Sequence, residues 1–119
     1  LKAINLKEKL GLFTAQWTPQ KVAELDHNHI YLAKLEGDFI WHSHDSQDEM
    51  FLVVEGRLRM DFQDKQVWLE EGEILVVPKG TDHKPYAPNE CSVLIIENAN
   101  TEHTGGVDDP RRKADHGWI

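Results

Sequence analysis

The sequence predicts an all-β fold, and three observations predict it. Between residues 21 and 97, short runs rich in Val, Ile, Leu, Phe and Tyr are separated by turns marked with Gly, Pro, Asn and Asp. That spacing is the signature of a sandwich or barrel rather than of strands alternating with helices. Only one stretch carries helix signals. Three of the runs are apolar on both faces, which requires a cover outside the wall as well as a core inside it.

The elements follow in order. Asn5 can cap a short helix, Glu8 stands three residues on in capping-box position, and Gly11 supplies the stop. Strands are expected at 21–26, 29–36, 39–44, 49–54, 57–62, 66–70, 73–77, 82–86 and 92–97, with turns such as Gly37-Asp38, Asp45-Ser46-Gln47, Glu55-Gly56, Pro78-Lys79-Gly80 and Pro88-Asn89 between them. The doubly apolar runs are 50–54, 74–77 and 93–96. Their outer cover is expected from the N-terminal segment or from a partner subunit, so a homodimer is expected. Residues 100–119 show no clear period, although Trp118 and Ile119 suggest that the tip docks. The 119 residues have room for one domain, with the barrel at about 21–98 and a tail at 99–119.

Composition narrows the function classes. A net charge of −8 argues against nucleic acid, which needs clustered Lys and Arg to displace counterions. The one basic run, Arg111-Arg112-Lys113, is flanked by Asp108, Asp109 and Asp115. The single cysteine, Cys91, forms no intrachain disulfide and reads as a small strand residue. No apolar run approaches the roughly 18 residues of a membrane span, and nothing resembles a signal peptide. A cytoplasmic protein is expected. No P-loop, dinucleotide-binding glycine motif or nucleophile elbow is present.

The chemistry concentrates in two stretches. In Gly37-Asp38-Phe39-Ile40-Trp41-His42-Ser43-His44, side chains two apart on a strand share a face, so His42 and His44 would stand side by side. After a turn of Asp, Ser and Gln, Glu49 enters the next strand and can return opposite them. In Gly72-Glu73-Ile74-Leu75-Val76-Val77-Pro78-Lys79-Gly80-Thr81-Asp82-His83, a strand and a tight turn deliver His83 to the head of another strand. Three imidazoles and a carboxylate with open positions suit Fe(II), Mn(II), Ni(II), Cu(II) or Zn(II).

These two stretches resemble the paired motifs of the cupin superfamily: glycine, His-x-His, a glutamate and glycine, then glycine, Pro-x-Gly and His. His42, His44, Glu49 and His83 fall on the ligand positions, and Gly56, Gly72, Pro78 and Gly80 on the framework. Gly37 is one residue nearer the histidines than usual, and Ala87 replaces an expected asparagine; neither is a ligand position. The resemblance spans about residues 29–98 and implies a double-stranded β-helix, or jelly roll, holding a metal. The wider pattern is similar to short bacterial cupins labelled mannose-6-phosphate-isomerase-like.

Other residues have weaker claims. His27 and His29 repeat the His-x-His spacing without a second ligand cluster, and His103 and His116 read as surface residues of the tail. Alternation from His42 places Ile40 inside the barrel and Phe39 and Trp41 outside; from Glu49 it places Phe51 and Val53 inside. Trp41 and Trp68 read as core or interface aromatics, and Lys34 and Lys79 as solvated. Tyr86, three residues after His83, is the candidate general acid or base, with a hydrogen-bonded structural tyrosine as the alternative. The expected function is a metal-dependent isomerase or lyase acting on a small polar molecule such as a sugar or keto acid. An Fe(II) dioxygenase and a non-catalytic binding module are the alternatives.

Overall fold

The computed structural model describes residues 1–101, 104–107, 109 and 117–119. The helix α1, Leu6–Leu10, is capped as expected: the Asn5 side chain accepts the Glu8 N–H at 3.0 Å. Seven strands follow: β1 (Gln20–Leu25), β2 (Asn28–Asp38), β3 (Glu49–Glu55), β4 (Leu58–Phe62), β5 (Gln66–Leu69), β6 (Ile74–Val77) and β7 (His83–Asn98). All pair antiparallel, in the order β1-β2-β7-β3-β6, with β4 pairing both β5 and the start of β7. The chain is an all-β jelly roll with a short N-terminal helix.

Three expected strands came out differently, for two local reasons. The runs 82–86 and 92–97 are the two ends of one 16-residue strand, β7. Pro88 and Asn89, read as a turn, are exposed with Glu90 and face a register shift against β2, between Leu35 and Gly37. Proline is tolerated in a strand at such an irregularity, where no ladder N–H is needed. The continuous β7 therefore joins both halves of the barrel: its first residues pair β4, and its last pair β2 and β3.

Segment 39–44 is not a strand. It lies beside the start of β7, tied by Phe39 N–H to Pro85 O at 3.0 Å and by reciprocal bonds between His42 and His83 at 3.0 and 2.9 Å. Two residues separate Phe39 from His42 where one separates His83 from Pro85. That extra residue breaks the two-residue alternation. Phe39 and His42 consequently both turn inward and are buried, Ile40 is half-buried, and Trp41 is 40% exposed. The expectation that Phe39 faces outward is thus corrected.

The barrel interior is filled by Tyr31, Ala33 and Leu35 from β2, Phe51 and Val53 from β3, Leu58 and Met60 from β4, and Val93 and Ile95 from β7, with Trp17 and Phe39. A second cluster lies outside the sheet, where Leu6, Leu10 and Phe13 meet Val22, Leu32, Ile30 and Leu94. The N-terminal segment thereby supplies part of the outer cover. The tip of the tail docks too: Gly117 O accepts from Lys21 N–H at 2.7 Å, Ile119 N–H donates to Lys21 O at 3.0 Å, and Ile119 joins the outer cluster. His103, His116 and the basic run 111–113 lie outside the described residues. No helix among the described residues is long and apolar enough to cross a membrane.

Candidate metal centre

Four buried side chains meet inside one end of the barrel. His42 and His44 come from the irregular segment after β2, Glu49 opens β3, and His83 opens β7. The segments that carry them are clasped together. Gly80 N–H donates to His44 O at 2.8 Å, and Lys79 N–H donates to the Asp48 carboxylate at 2.9 Å. The Pro-Lys-Gly turn before His83 is thereby fixed to the loop that runs from His44 to Glu49.

The imidazoles are oriented as ligands. Nδ1 of His42 lies 2.9 Å from Ile40 O, and Nδ1 of His83 lies 2.8 Å from Thr81 O. A carbonyl only accepts, so each Nδ1 carries the proton and donates, leaving Nε2 with a free lone pair. One potential donor atom from each of the four residues lies within 4.8 Å of the others. His44 Nε2, His83 Nε2 and Glu49 Oε1 are buried and have no hydrogen-bond partner. Glu49 Oε1 sits 3.3 Å from His44 Nε2 and 3.5 Å from His83 Nε2. Buried polar atoms without partners are rare and costly. Here lone pairs converge on one point, an arrangement that a cation satisfies and that packing alone does not explain.

The electrostatics agree. Burial, reinforced by the neighbouring His83, lowers the His42 pKa to about 4, so its imidazole is neutral at physiological pH, as metal binding requires. Burial alone would raise the Glu49 pKa. The proton donated by Glu97 and the closeness of His44 and His83 overcome that and hold it well below the usual carboxylate range. A set of three nitrogens and one carboxylate oxygen fits a borderline divalent transition metal, and these four residues could hold one.

Glu97 is the residue the sequence analysis passed over. It pairs directly with Glu49 across β3 and β7 and is 4% exposed. Burial and the charge of Glu49 push its pKa well up, so it stays protonated and donates to Glu49. The signal was present: Glu97 ends the run Val93-Leu94-Ile95-Ile96 with the inward parity of Val93 and Ile95.

Tyr86 is not brought to the site. His83, Pro85 and Ala87 are buried on the inward face of β7, while Tyr86 has the opposite parity and lies half-buried beneath the Arg59 guanidinium, 4.4 Å away. Strand alternation, which three-residue spacing from His83 cannot evade, sets this. His29 stays outside the cluster, with Nδ1 2.9 Å from the Tyr31 hydroxyl. Lys34 donates to Phe13 O at 2.7 Å, and Trp41 and Trp68 are exposed beneath Lys84 and Arg57. Burial, together with Glu71, pushes the Cys91 thiol up to about 12, which leaves it unreactive.

Two cavities adjoin the site, between them reaching His42, His44 and Glu49. A polar one of about 210 Å³ is lined by Ser43, His44, Asp45, Gln47, Asn100, Gly105 and Gly106. The other, about 20 Å³ and lined largely by apolar side chains, includes His42 and Glu49 in its wall.

A family model for the cupin domain matches residues 28–97. The Bacillus subtilis protein YdbB is 34% identical over 101 residues, 84% of this chain and 83% of YdbB. A solved cupin-2 domain protein from Shewanella frigidimarina is 44% identical, with a TM-score of 0.79 over 80% of this chain and 93% of its own. A Neisseria meningitidis protein is 37% identical, with a TM-score of 0.75 over 82% and 99% of the two chains. Hydroquinone 1,2-dioxygenase from Sphingomonas is 21% identical, with a TM-score of 0.72 over 82% of this chain and 32% of its own, a likeness of fold alone.

Proposed function

This chain belongs to the cupin family, and from that premise we propose that it binds a divalent transition metal and acts with it on a small polar substrate. The observation that carries this reading is the convergence of three partnerless buried atoms, His44 Nε2, His83 Nε2 and Glu49 Oε1, on one point beside His42. His42, His44, Glu49 and His83 would hold the ion. When bound, such an ion supplies Lewis acidity toward a carbonyl or hydroxyl oxygen.

We read the chemistry as that of an isomerase or lyase acting on a small unphosphorylated molecule such as a sugar or keto acid. The polar cavity offers Ser43, Gln47 and Asn100 as hydrogen-bonding groups, and the described residues lining it include no Lys or Arg. That lining supports an unphosphorylated substrate over a sugar phosphate, which calls for cationic partners. Glu97 would steady Glu49 from behind with its proton.

A second reading, an Fe(II) dioxygenase, draws support from the small, largely apolar cavity beside His42 and Glu49. Oxygen uptake that depends on both iron and an organic substrate would favour it.

The test is elemental analysis of protein made without a histidine tag, beside the His83→Ala variant. Near-stoichiometric metal in the wild type and a loss of at least tenfold in the variant are expected. Wild-type protein that stays metal-free after reconstitution would overturn the proposal.

A further inference from the structure

One wall of the small chamber beside His42 and Glu49 is a residue that lies outside the matched cupin region. Trp17 sits in the connection between α1 and β1 with φ of 56°. A positive φ is a genuine outlier for so bulky a side chain, and such outliers persist only where their surroundings fix them. Here they do. Trp17 N–H donates to Lys34 O at 2.8 Å, and its indole N–H donates to Glu36 O at 3.0 Å. The ring stacks on Phe39 at 4.7 Å and an interplanar angle of 10°. Phe39 in turn meets the candidate ligand His42 edge-on at 5.3 Å. A strained backbone, two hydrogen bonds and a stack thus hold one indole against the chamber wall.

The chamber that results is about 20 Å³, with Trp17, Phe39, Phe51 and Ile95 in its lining together with His42 and Glu49. That is space for one water-sized group. We propose that Trp17 is a specificity-determining residue: it limits whatever projects past the metal into the barrel to a single small group, such as a hydroxyl or a methyl. The inference rests on the metal-binding reading and narrows its substrate class. The substrate reaches the ion with a polar, oxygen-bearing end and carries no chain or ring on the chamber side.

Cobalt(II)-loaded protein tests this, because its visible spectrum reports ligands entering the coordination sphere. Formate, acetate and benzoate are titrated into wild type and Trp17→Ala, with cobalt content and melting temperature recorded for each. In wild type, benzoate is expected to bind at least tenfold more weakly than acetate. In Trp17→Ala, benzoate is expected to gain at least tenfold while formate changes less than threefold. Should Trp17→Ala not fold, Trp17→Leu opens the same wall by less, and propionate replaces benzoate with an expected gain of about threefold. An identical ranking in wild type and variant, with one cobalt bound in each, overturns the role of Trp17 and leaves the metal reading standing. Wild-type protein that takes up no cobalt overturns the metal reading and this inference with it.

Discussion

At the residue scale, the four candidate ligands were legible because each signal was local. Two histidines two residues apart, a carboxylate across a turn and a histidine after Pro-x-Gly are each recognisable over a few residues, although His83 meets the other three only through the long-range pairing of segment 39–44 with β7. Phe39 and Glu97 were not legible in the same way. The orientation of Phe39 depends on one extra residue opposite β7, and the importance of Glu97 depends on its cross-strand partner. The burial of these groups has a measurable consequence for metal-free protein. His42 titrates near 4 when folded, against 6.5 as its ordinary value. A depressed folded pKa means that the unfolded chain takes the proton first, so stability is full above pH 6.5 and falls as pH drops toward 4. The gap corresponds to about 3 kcal/mol. Urea unfolding of metal-free protein at pH 7.5, 6 and 5 is expected to show this decline, and His42→Gln to flatten it; a wild-type midpoint unchanged across that range contradicts the assignment. Glu97 acts with the opposite sign. Its raised folded pKa costs stability as pH climbs above about 4.5, so Glu97→Gln should gain on wild type with rising pH in the same experiment.

At the element scale, the strands with one clear turn at each end were read within a residue or two, and β3, β4, β5 and β6 are where periodicity placed them. The errors fell where a strand passes an irregularity, because a bulge and a turn use the same residues. Pro88-Asn89 reads as a turn in sequence and is a bulge in β7. The turn at 104–107 had no periodic signal at all, yet it packs against the ligand-bearing loop. Gly105, at φ of 63°, lies so close that an added Cβ would collide with Ser43 O and stand 3.3 Å from the His42 Cβ. Backbone cannot yield as a flexible side chain can, and the positive φ adds strain for any other residue. Gly105→Ala is therefore expected to push this turn off the loop carrying His42 and His44, at a cost of about 1–3 kcal/mol. A chelator should then strip metal from the variant at least fivefold faster than from wild type. Unchanged stripping rates would show that the turn does not cover the site.

At the scale of the whole molecule, the outer face of the sheet is the feature that one chain leaves incomplete. Two apolar rows cross it in register: Ile74, Leu52, Leu94 and Leu32, then Val76, Met50, Ile96 and Ile30. At the β2 end, α1 and Ile119 cover these rows. At the β6 end, Ile74 is 61% exposed and Val76 51%. Doubly apolar strands led to the expectation of a second cover, and the N-terminal segment provides only half of it. We propose that a second copy of the chain provides the rest, because the open rows continue a face that the chain itself already buries. Single apolar residues in solvent are ordinary, but a row of them continuous with a packed cluster is not. A stable homodimer needs about 800 Å² from each partner, which the β3–β6 end and the adjoining loops would have to supply together. Sedimentation equilibrium at micromolar concentration should therefore give twice the 13.7 kDa of the chain. Replacing both Ile74→Glu and Val76→Glu places two carboxylates per chain in that interface and should return a folded monomer that keeps the barrel's melting transition. A wild-type mass of one chain across the concentration range would show that the exposed rows at β6 stay in solvent, and that α1 and the tail tip are all the outer cover this barrel requires.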